Sequence, residues 1–425
     1  MLHRLCCLCL LFCCPLISWA RPESGLSLAE AFQRAVQQSE QLAMKDEDIN
    51  VAAARYRQAL GTALPQLSGR VAETVQDTAG GGDPSSIGST FTRRSRPEVA
   101  LTLRQPLFQG LREFVALRNA GTEARQNRLL RHRAEQLLYA DVARAYYAVL
   151  EAEAEVAIHR ELRDTFARRV AEIQERIDLG RSRESERFGA EAQLAGSDAE
   201  LEGARGRVRD ARDLLGFLTG HVVTERLHDR TPRSSGLPPL APLLATAAGR
   251  SDVDAQAEAA RRAKGQVAYE RGGYLPTAEL QANYYPYRAG YLSDIKWDAT
   301  VALNVPIFQG GTTRGKVREA TAKWLQSKLA HQEVQRRAQL EVRQQHDALR
   351  TARHREHALH RAAAKAGANY WAQAGEYHLG LVTNLDVLQA LRDWQTQRLA
   401  ANAAHFQTKV ARLLLDVAAG ETPSP

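Results

Sequence analysis

The segments Leu103-Arg104-Gln105-Pro106-Leu107-Phe108-Gln109-Gly110 and Leu303-Asn304-Val305-Pro306-Ile307-Phe308-Gln309-Gly310 match each other at an offset of 200 residues. The offset persists downstream. Leu179-Gly180 pairs with Leu379-Gly380 and Gly220 with Gly420, so 106–220 and 306–420 align without a gap. A register held that far without insertion marks two copies of one supersecondary unit. The copies are too long for a short-repeat solenoid. Each reads as helix, strand, loop, strand, very long helix, sharp turn and shorter helix.

Upstream of each junction the pattern has period two, the sign of a sheet with one apolar and one polar face. Ala299, Val301, Leu303 and Val305 alternate with Asp298, Thr300, Ala302 and Asn304. Ala278, Leu280, Ala282 and Tyr284 oppose Glu279, Gln281, Asn283 and Tyr285, and Val99, Leu101 and Leu103 oppose Thr102 and Arg104. The 66–76 stretch alternates least clearly. Strands are expected over about 65–106 and 276–306, with a Gly/Ser/Asp-rich loop from Asp77 to Arg96. Tyr284, Tyr285, Tyr287, Tyr291 and Trp297 gather near strand ends, as in the aromatic girdle of a membrane barrel. Alternation alone fits a soluble sheet rimmed by tyrosines equally well.

Downstream, no proline occurs from Gly110 to Ile177 or from Gly310 to Tyr377. Helices of that length reach ~100 Å at ~1.5 Å per residue, far beyond the globular average. Ile158, Leu162, Phe166, Val170, Ile173 and Ile177 fall three or four apart, a narrow coiled-coil seam. Gly180 and Gly380 suit left-handed C-terminal caps. The chain then reverses into helices ending near Thr219 and Ala419, giving hairpins over 107–219 and 307–419. Before the strands, Ser27 and Glu30 form a capping-box pattern, predicting one helix to about Leu60, before Pro65. Its counterpart runs from about Pro242 to Glu270, before Pro276. Asp229–Pro242 carries four prolines, so 221–242 reads as the linker between repeat 1 (21–220) and repeat 2 (243–425).

Residues 1–20 read as a cleaved signal peptide: His3 and Arg4, an apolar run from Leu5 to Ile17, then Ser18-Trp19-Ala20. Cys6, Cys7, Cys9, Cys13 and Cys14 all lie inside it. The mature chain therefore has no thiol for a disulfide, a metal or nucleophilic catalysis. No later segment is long and apolar enough for a membrane helix. The net charge, +8 and then +7 once Arg4 is removed, is interspersed with acids along helices. That pattern reads as solvated faces, not a nucleic-acid surface. There is no G-x-S-x-G, no P-loop and no G-x-G-x-x-G, so no enzyme and no cofactor is expected. His354, His357 and His360 share a helical arc but are interleaved with Arg353, Arg355 and Arg361. They read as a polar face, not a metal site.

The duplicated Gln-Pro-Leu-Phe-Gln-Gly and Val-Pro-Ile-Phe-Gln-Gly-Gly junctions, the Tyr377–Ala390 stretch and the starts Leu64-Pro65 and Leu275-Pro276 resemble the TolC outer-membrane efflux family over essentially the whole mature chain. The resemblance implies a mixed α/β membrane protein and a homotrimer. Each protomer gives four strands to a 12-stranded outer-membrane β-barrel and two coiled-coil hairpins to a periplasmic tunnel. It implies a passive exit channel for efflux or type I secretion, partnered by an adaptor (membrane fusion) protein and an inner-membrane pump. Four strands leave edges that lipid does not tolerate, so closure must come from other copies. Pro106 and Pro306 are expected to end ladder pairing and open the helices.

By position, Tyr377 and Asp386 match the family's periplasmic gate, and Glu186 takes the acidic position in the first copy. Val382 and Gln389 depart from the family's arginine and aspartate. Arg181 or Arg183 is therefore expected as the counter-charge to Asp386. Gly180, Arg181, Ser182, Gly380, Leu381, Val382 and Thr383 resemble the tips that meet the adaptor, with Leu381 and Val382 expected to be exposed. The competing reading is a periplasmic coiled-coil adaptor or scaffold with a small soluble β-domain.

Overall fold

The computed structural model describes residues 25–77, 95–229, 236–290 and 292–421. The expected signal peptide, most of the 77–96 loop and the middle of the linker lie outside the described residues. In chain order the elements are β1 (Gly25–Leu26), α1 (Leu28–Gln38), α2 (Glu40–Gly61), β2 (Gln66–Val75), β3 (Ser95–Gln109), α3 (Arg112–Asp178), α4 (Glu184–Thr219), β4 (Arg226–Leu227), α5 (Leu240–Ala248), α6 (Ser251–Arg271), β5 (Thr277–Arg288), β6 (Trp297–Asn304), α7 (Thr312–His378) and α8 (Asn384–Ala419). A 3-10 turn, Gly272–Tyr274, joins α6 to β5.

The long helices α3 and α7 have 67 residues each, and α4 and α8 have 36 each. At ~1.5 Å per residue the long pair spans ~100 Å. The shorter helices flank them in one layer. Near the sheet the order is α2–α3–α6–α7, and towards the far tip it is α4–α3–α8–α7. The thickest core lies midway along α3. There Tyr139, Val142, Tyr146 and Val149 meet Phe32 of α1, Leu215 of α4 and Leu413 of α8. The Tyr146 hydroxyl lies within hydrogen-bond distance of the carbonyls of Leu26 (2.8 Å) and His228 (2.9 Å) and shares its one proton between them, pinning the parallel β1–β4 ribbon.

Ser27 caps α1 through the expected box with Glu30. The single helix expected from there to Leu60 is in fact two, because Ser39 is extended and caps a new start, accepting from the Leu42 amide at 3.3 Å. The second copy breaks likewise at Gly249-Arg250. Arg250 is buried at this break. It donates to the Ala418 carbonyl (3.0 Å) and pairs with Asp252 (2.7 Å) and Glu341 (2.8 Å). Arg133 donates to the Val417 carbonyl (3.0 Å) and Gln136 to that of Gly420 (2.8 Å). Together these donors satisfy the carbonyls at the end of α8.

The sheet is antiparallel in the order β2-β3-β5-β6, so β2 and β6 are open edges. Its register runs Leu67–Leu103–Ala282–Ala299 on one face and Ser68–Thr102–Asn283–Asp298 on the other. The polar row is bonded across strands, Thr102 to Asn283 at 2.8 Å and Asn283 to Asp298 at 2.8 Å. Arg104 pairs with Glu279 on that face. The apolar face is bare: Val301 is 67% exposed and Leu303 68%. Pro306 lies beyond β6, as expected. Pro106 does not end its strand, because β3 continues to Gln109 past an irregularity between Pro106 and Phe108. A bulge accommodates a residue that cannot donate.

Candidate functional site

The far tip, where α3 turns into α4 and α7 into α8, is built twice in the same way. Leu179-Gly180 and Leu379-Gly380 close the long helices, with Gly180 at φ 67° and Gly380 at φ 75°. The amides of Arg181 and Leu381 reach back five residues, to Arg176 O (2.8 Å) and Glu376 O (3.0 Å). These bonds satisfy otherwise orphaned carbonyls in a left-handed cap that glycine adopts without Cβ strain.

The two return helices start differently. Arg183 precedes α4 without a side-chain cap. Ser182 Oγ donates instead to Glu186 at 2.8 Å. Thr383 caps α8 in a reciprocal box: Asp386 accepts from the Thr383 amide (2.9 Å) and from its Oγ1 (2.5 Å). These Thr383 hydrogen bonds, side chain first and backbone second, hold the exposed Asp386 carboxyl below its ordinary value. The expected pairing of Asp386 with Arg181 or Arg183 is not formed within the chain. Thr383 already occupies the carboxylate, and both arginines point to solvent without an ion-pair partner among the described residues.

Tyr377 is buried in an apolar cluster with Leu162 and Phe166 of α3, Tyr370 of α7, and Val387, Leu388 and Leu391 of α8. Its ring is clamped between two guanidinium groups, Arg169 at 3.8 Å and Arg176 at 4.3 Å. Arg169, itself buried, donates to Asn384 (3.0 Å) and Glu172 (2.8 Å). Glu172 also lies 3.4 Å from His378 and 3.7 Å from Arg176. The long helices of the two copies are thus bound to each other at the tip by a charged layer over an aromatic one. Sequence reasoning missed Arg169, Glu172, Arg176 and Asn384. Their signal was the i, i+3, i+7 spacing of 169, 172 and 176, which puts all three on one face of α3 beside the apolar seam.

Among the tip residues, Leu381 is exposed (71%), with Leu379 and Leu385 beside it. Val382, expected to be exposed, instead packs against the Tyr377 cluster. Thus Gly180, Arg181, Gly380, Leu381 and Thr383 form an open rim, while Tyr377 and Val382 sit behind it. His354, His357 and His360 lie exposed along α7, and no group of three or more metal-binding side chains gathers among the described residues.

No helix among the described residues is long and apolar enough to cross a membrane. The family model for outer membrane efflux proteins matches residues 31–221 and 245–421, one segment per repeat. Outer membrane efflux protein BepC of Brucella suis biovar 1 (strain 1330) is 24% identical over 382 residues, covering 89% of this chain and 80% of BepC. The solved structure of CusC superposes with a TM-score of 0.82 at 18% identity, covering 93% of this chain and 92% of CusC. That of the outer membrane protein VceC from Vibrio cholerae gives 0.80 at 19% identity, covering 93% and 96%. With its doubled hairpins, bare amphipathic sheet and twin tips, the chain belongs to the outer membrane efflux protein family, whose members are channels of the outer membrane with a periplasmic extension.

Proposed function

We propose that three copies close into one passive, non-catalytic duct that carries substrates from an inner-membrane pump, through a periplasmic adaptor, to the exterior. The observation that carries this is the four-stranded sheet, polar on one face and bare apolar on the other, joined directly to the long helices. A wall wet on one side and lipid-facing on the other is what a membrane barrel requires. The flanking helices also expose apolar side chains. α2 exposes Met44, Val51 and Leu60; α7 exposes Leu325, Leu329 and Leu340; α4 exposes Phe188, Leu214 and Phe217. α2 and α4 flank one side of the layer and α7 the other, the arrangement of a heterologous interface that closes by rotation.

Size favours three copies. Two would give eight strands, a barrel ~16 Å across whose interior side chains fill. Three give twelve strands ~4.8 Å apart at ~40° tilt, ~24 Å across. The twelve helices below, ~10 Å apart, make a ring ~38 Å across. Each protomer then offers two tip turns to the adaptor, with exposed Leu381 on the rim. Asp386 and Glu186 form the gate at the constriction, with Arg181 and Arg183 bonding across copies, while the buried Tyr377 supports them from behind. Membrane fractionation with detergent, followed by gel migration with and without heating, tests this. A heat-modifiable trimer in the outer membrane is expected. A soluble monomer would favour the scaffold reading.

A further inference from the structure

Beneath the sheet, α3, α6 and α7 enclose a cleft of about 560 Å³ that the duct reading leaves unused. Arg118 lies nine residues past the end of β3, and Arg271 lies six before the start of β5. The cleft therefore begins directly below the strands and extends a few helical turns down. Its walls carry Arg118, Arg125, Arg261, Lys264 and Arg271. Among the described residues one carboxylate answers them: Glu258 receives both Arg125 and Arg261. Arg118 and Arg271 have no ion-pair partner among the described residues, and Lys264 lies over the Trp324 ring at 5.9 Å from its centroid.

Some neighbouring arginines, by contrast, are held by carboxylates. Arg55 and Arg262 share Glu123, and Arg131 pairs with Asp46 and Glu135. A concave surface on which Arg118, Lys264 and Arg271 meet no carboxylate among the described residues concentrates positive potential and attracts an anion. Arginine forks suit phosphate oxygens. The cleft is also not wholly polar: Trp324 and Ala268 line it, and tryptophan favours the boundary between water and hydrocarbon.

We propose, on the basis of the membrane-inserted barrel above, that this cleft binds a phosphate-monoanion group, and that its occupant is the headgroup of an anionic phospholipid in the leaflet facing the periplasm. Phosphate oxygens meet Arg118, Lys264 and Arg271, while the glycerol and upper acyl chains lie towards Trp324. The bound lipid partly offsets the charge of the cleft and ties the helical layer to the membrane surface immediately under the barrel.

The full-length protein, reconstituted in nanodiscs of mixed phosphatidylglycerol and phosphatidylcholine and then released, is examined by native mass spectrometry for retained lipid. Wild type is expected to retain phosphatidylglycerol preferentially, at up to one per protomer. The Arg118→Gln/Lys264→Gln/Arg271→Gln variant should lose that preference by on the order of 10–100-fold, since each basic residue near a surface contributes about tenfold or less. Arg361→Gln/Lys365→Gln, far down α7, should retain it. Added inorganic phosphate separates the sources. Displacement of the lipid only at a large excess of phosphate supports the proposal. Phosphate binding by wild type without any lipid preference overturns the lipid occupant. Normal insertion with equal retention by wild type and triple variant overturns the site. Failure of wild type to insert at all would overturn the barrel reading beneath it, and the lipid occupant with it.

Discussion

At the scale of single residues, the tip carries two roles that position alone does not separate. Tyr377 and Asp386 were both read as gate residues from their place near the turn. The structure makes Tyr377 a buried platform for two guanidinium groups and Asp386 the acid of a helix cap. The cap could have been read from the Thr383-x-x-Asp386 spacing, but the role of Tyr377 could not, because Arg169 and Arg176 lie about 200 residues upstream and nothing nearby announces them. The Tyr377 ring, not its hydroxyl, meets the arginines, so Tyr377→Phe should leave thermal stability nearly unchanged. Tyr377→Ala opens a cavity and removes the ring that Arg169 and Arg176 cover, at a cost of about 3–5 kcal/mol; thermal unfolding of the purified protein distinguishes the two variants. Asp386 has a depressed folded pKa. Its capping contribution is present above the ordinary carboxylate pKa of ~3.9 and is lost as pH falls through the lower folded value. The first turn of α8 should therefore hold through mild acid and fray only below it. Hydrogen exchange of the 384–387 amides should show this acid limb in the wild type and not in Asp386→Asn.

At the scale of elements, what could be read was whatever follows from period and spacing: the long helices, the tip turns, the sheet facings and the capping box at Ser27. What could not be read was set by tertiary contacts. The breaks at Ser39 and Gly249 interrupt patterns that run on without a proline, and the second is fixed by Arg250 reaching the end of α8. Burial disfavours the Asp252 carboxylate, but its bonds to Arg250 outweigh that and keep its pKa below the usual range. This pair therefore stabilises above the ordinary aspartate pKa and is lost in acid. Arg250→Ala leaves Asp252 partly buried and the Ala418 carbonyl without its donor, and should lower stability by about 3–5 kcal/mol, measured by thermal unfolding. The duplicated junction glycines should not respond alike either. A Cβ on Gly110 would sit 2.4 Å from the Gly272 carbonyl, whereas one on Gly310 meets nothing within 4 Å. Both have positive φ. Gly310→Ala should then cost only the left-handed strain of about 1–2 kcal/mol, and Gly110→Ala about 1–3 kcal/mol more. Equal losses of folded protein would mean that the α6 turn yields freely.

At the scale of the whole molecule, a single protomer is an open wall, and its behaviour depends on what closes it. If the bare sheet face meets lipid, Leu303→Arg should cost ~2–4 kcal/mol near the midplane and cut trimer yield in the outer membrane far more than Asn304→Arg, whose side chain lies on the polar face. The constriction at the other end poses a harder question, because the acid expected to gate is also the acid that caps α8. Three protomers bring three copies each of Asp386 and Glu186 to a narrow point. Individually such exposed pairs contribute little, but three copies of each carboxylate, paired across protomers with Arg181 or Arg183, can bias a closed state by a few kcal/mol, enough to shift its population strongly. Replacing Asp386 by alanine removes both charge and cap. Thr383→Ala removes most of the cap and keeps the charge. Glu186→Ala removes charge and leaves the α8 cap intact. If these carboxylates, paired with Arg181 or Arg183 of neighbouring copies, hold the duct narrow, single-channel conductance in planar bilayers should rise in Glu186→Ala and rise further in Asp386→Ala/Glu186→Ala, while Thr383→Ala stays near wild type. A rise in Thr383→Ala equal to that in Asp386→Ala would assign the narrowing to helix order at the tip. Unchanged conductance in all four variants, from normal trimers, would place the constriction elsewhere along the helices.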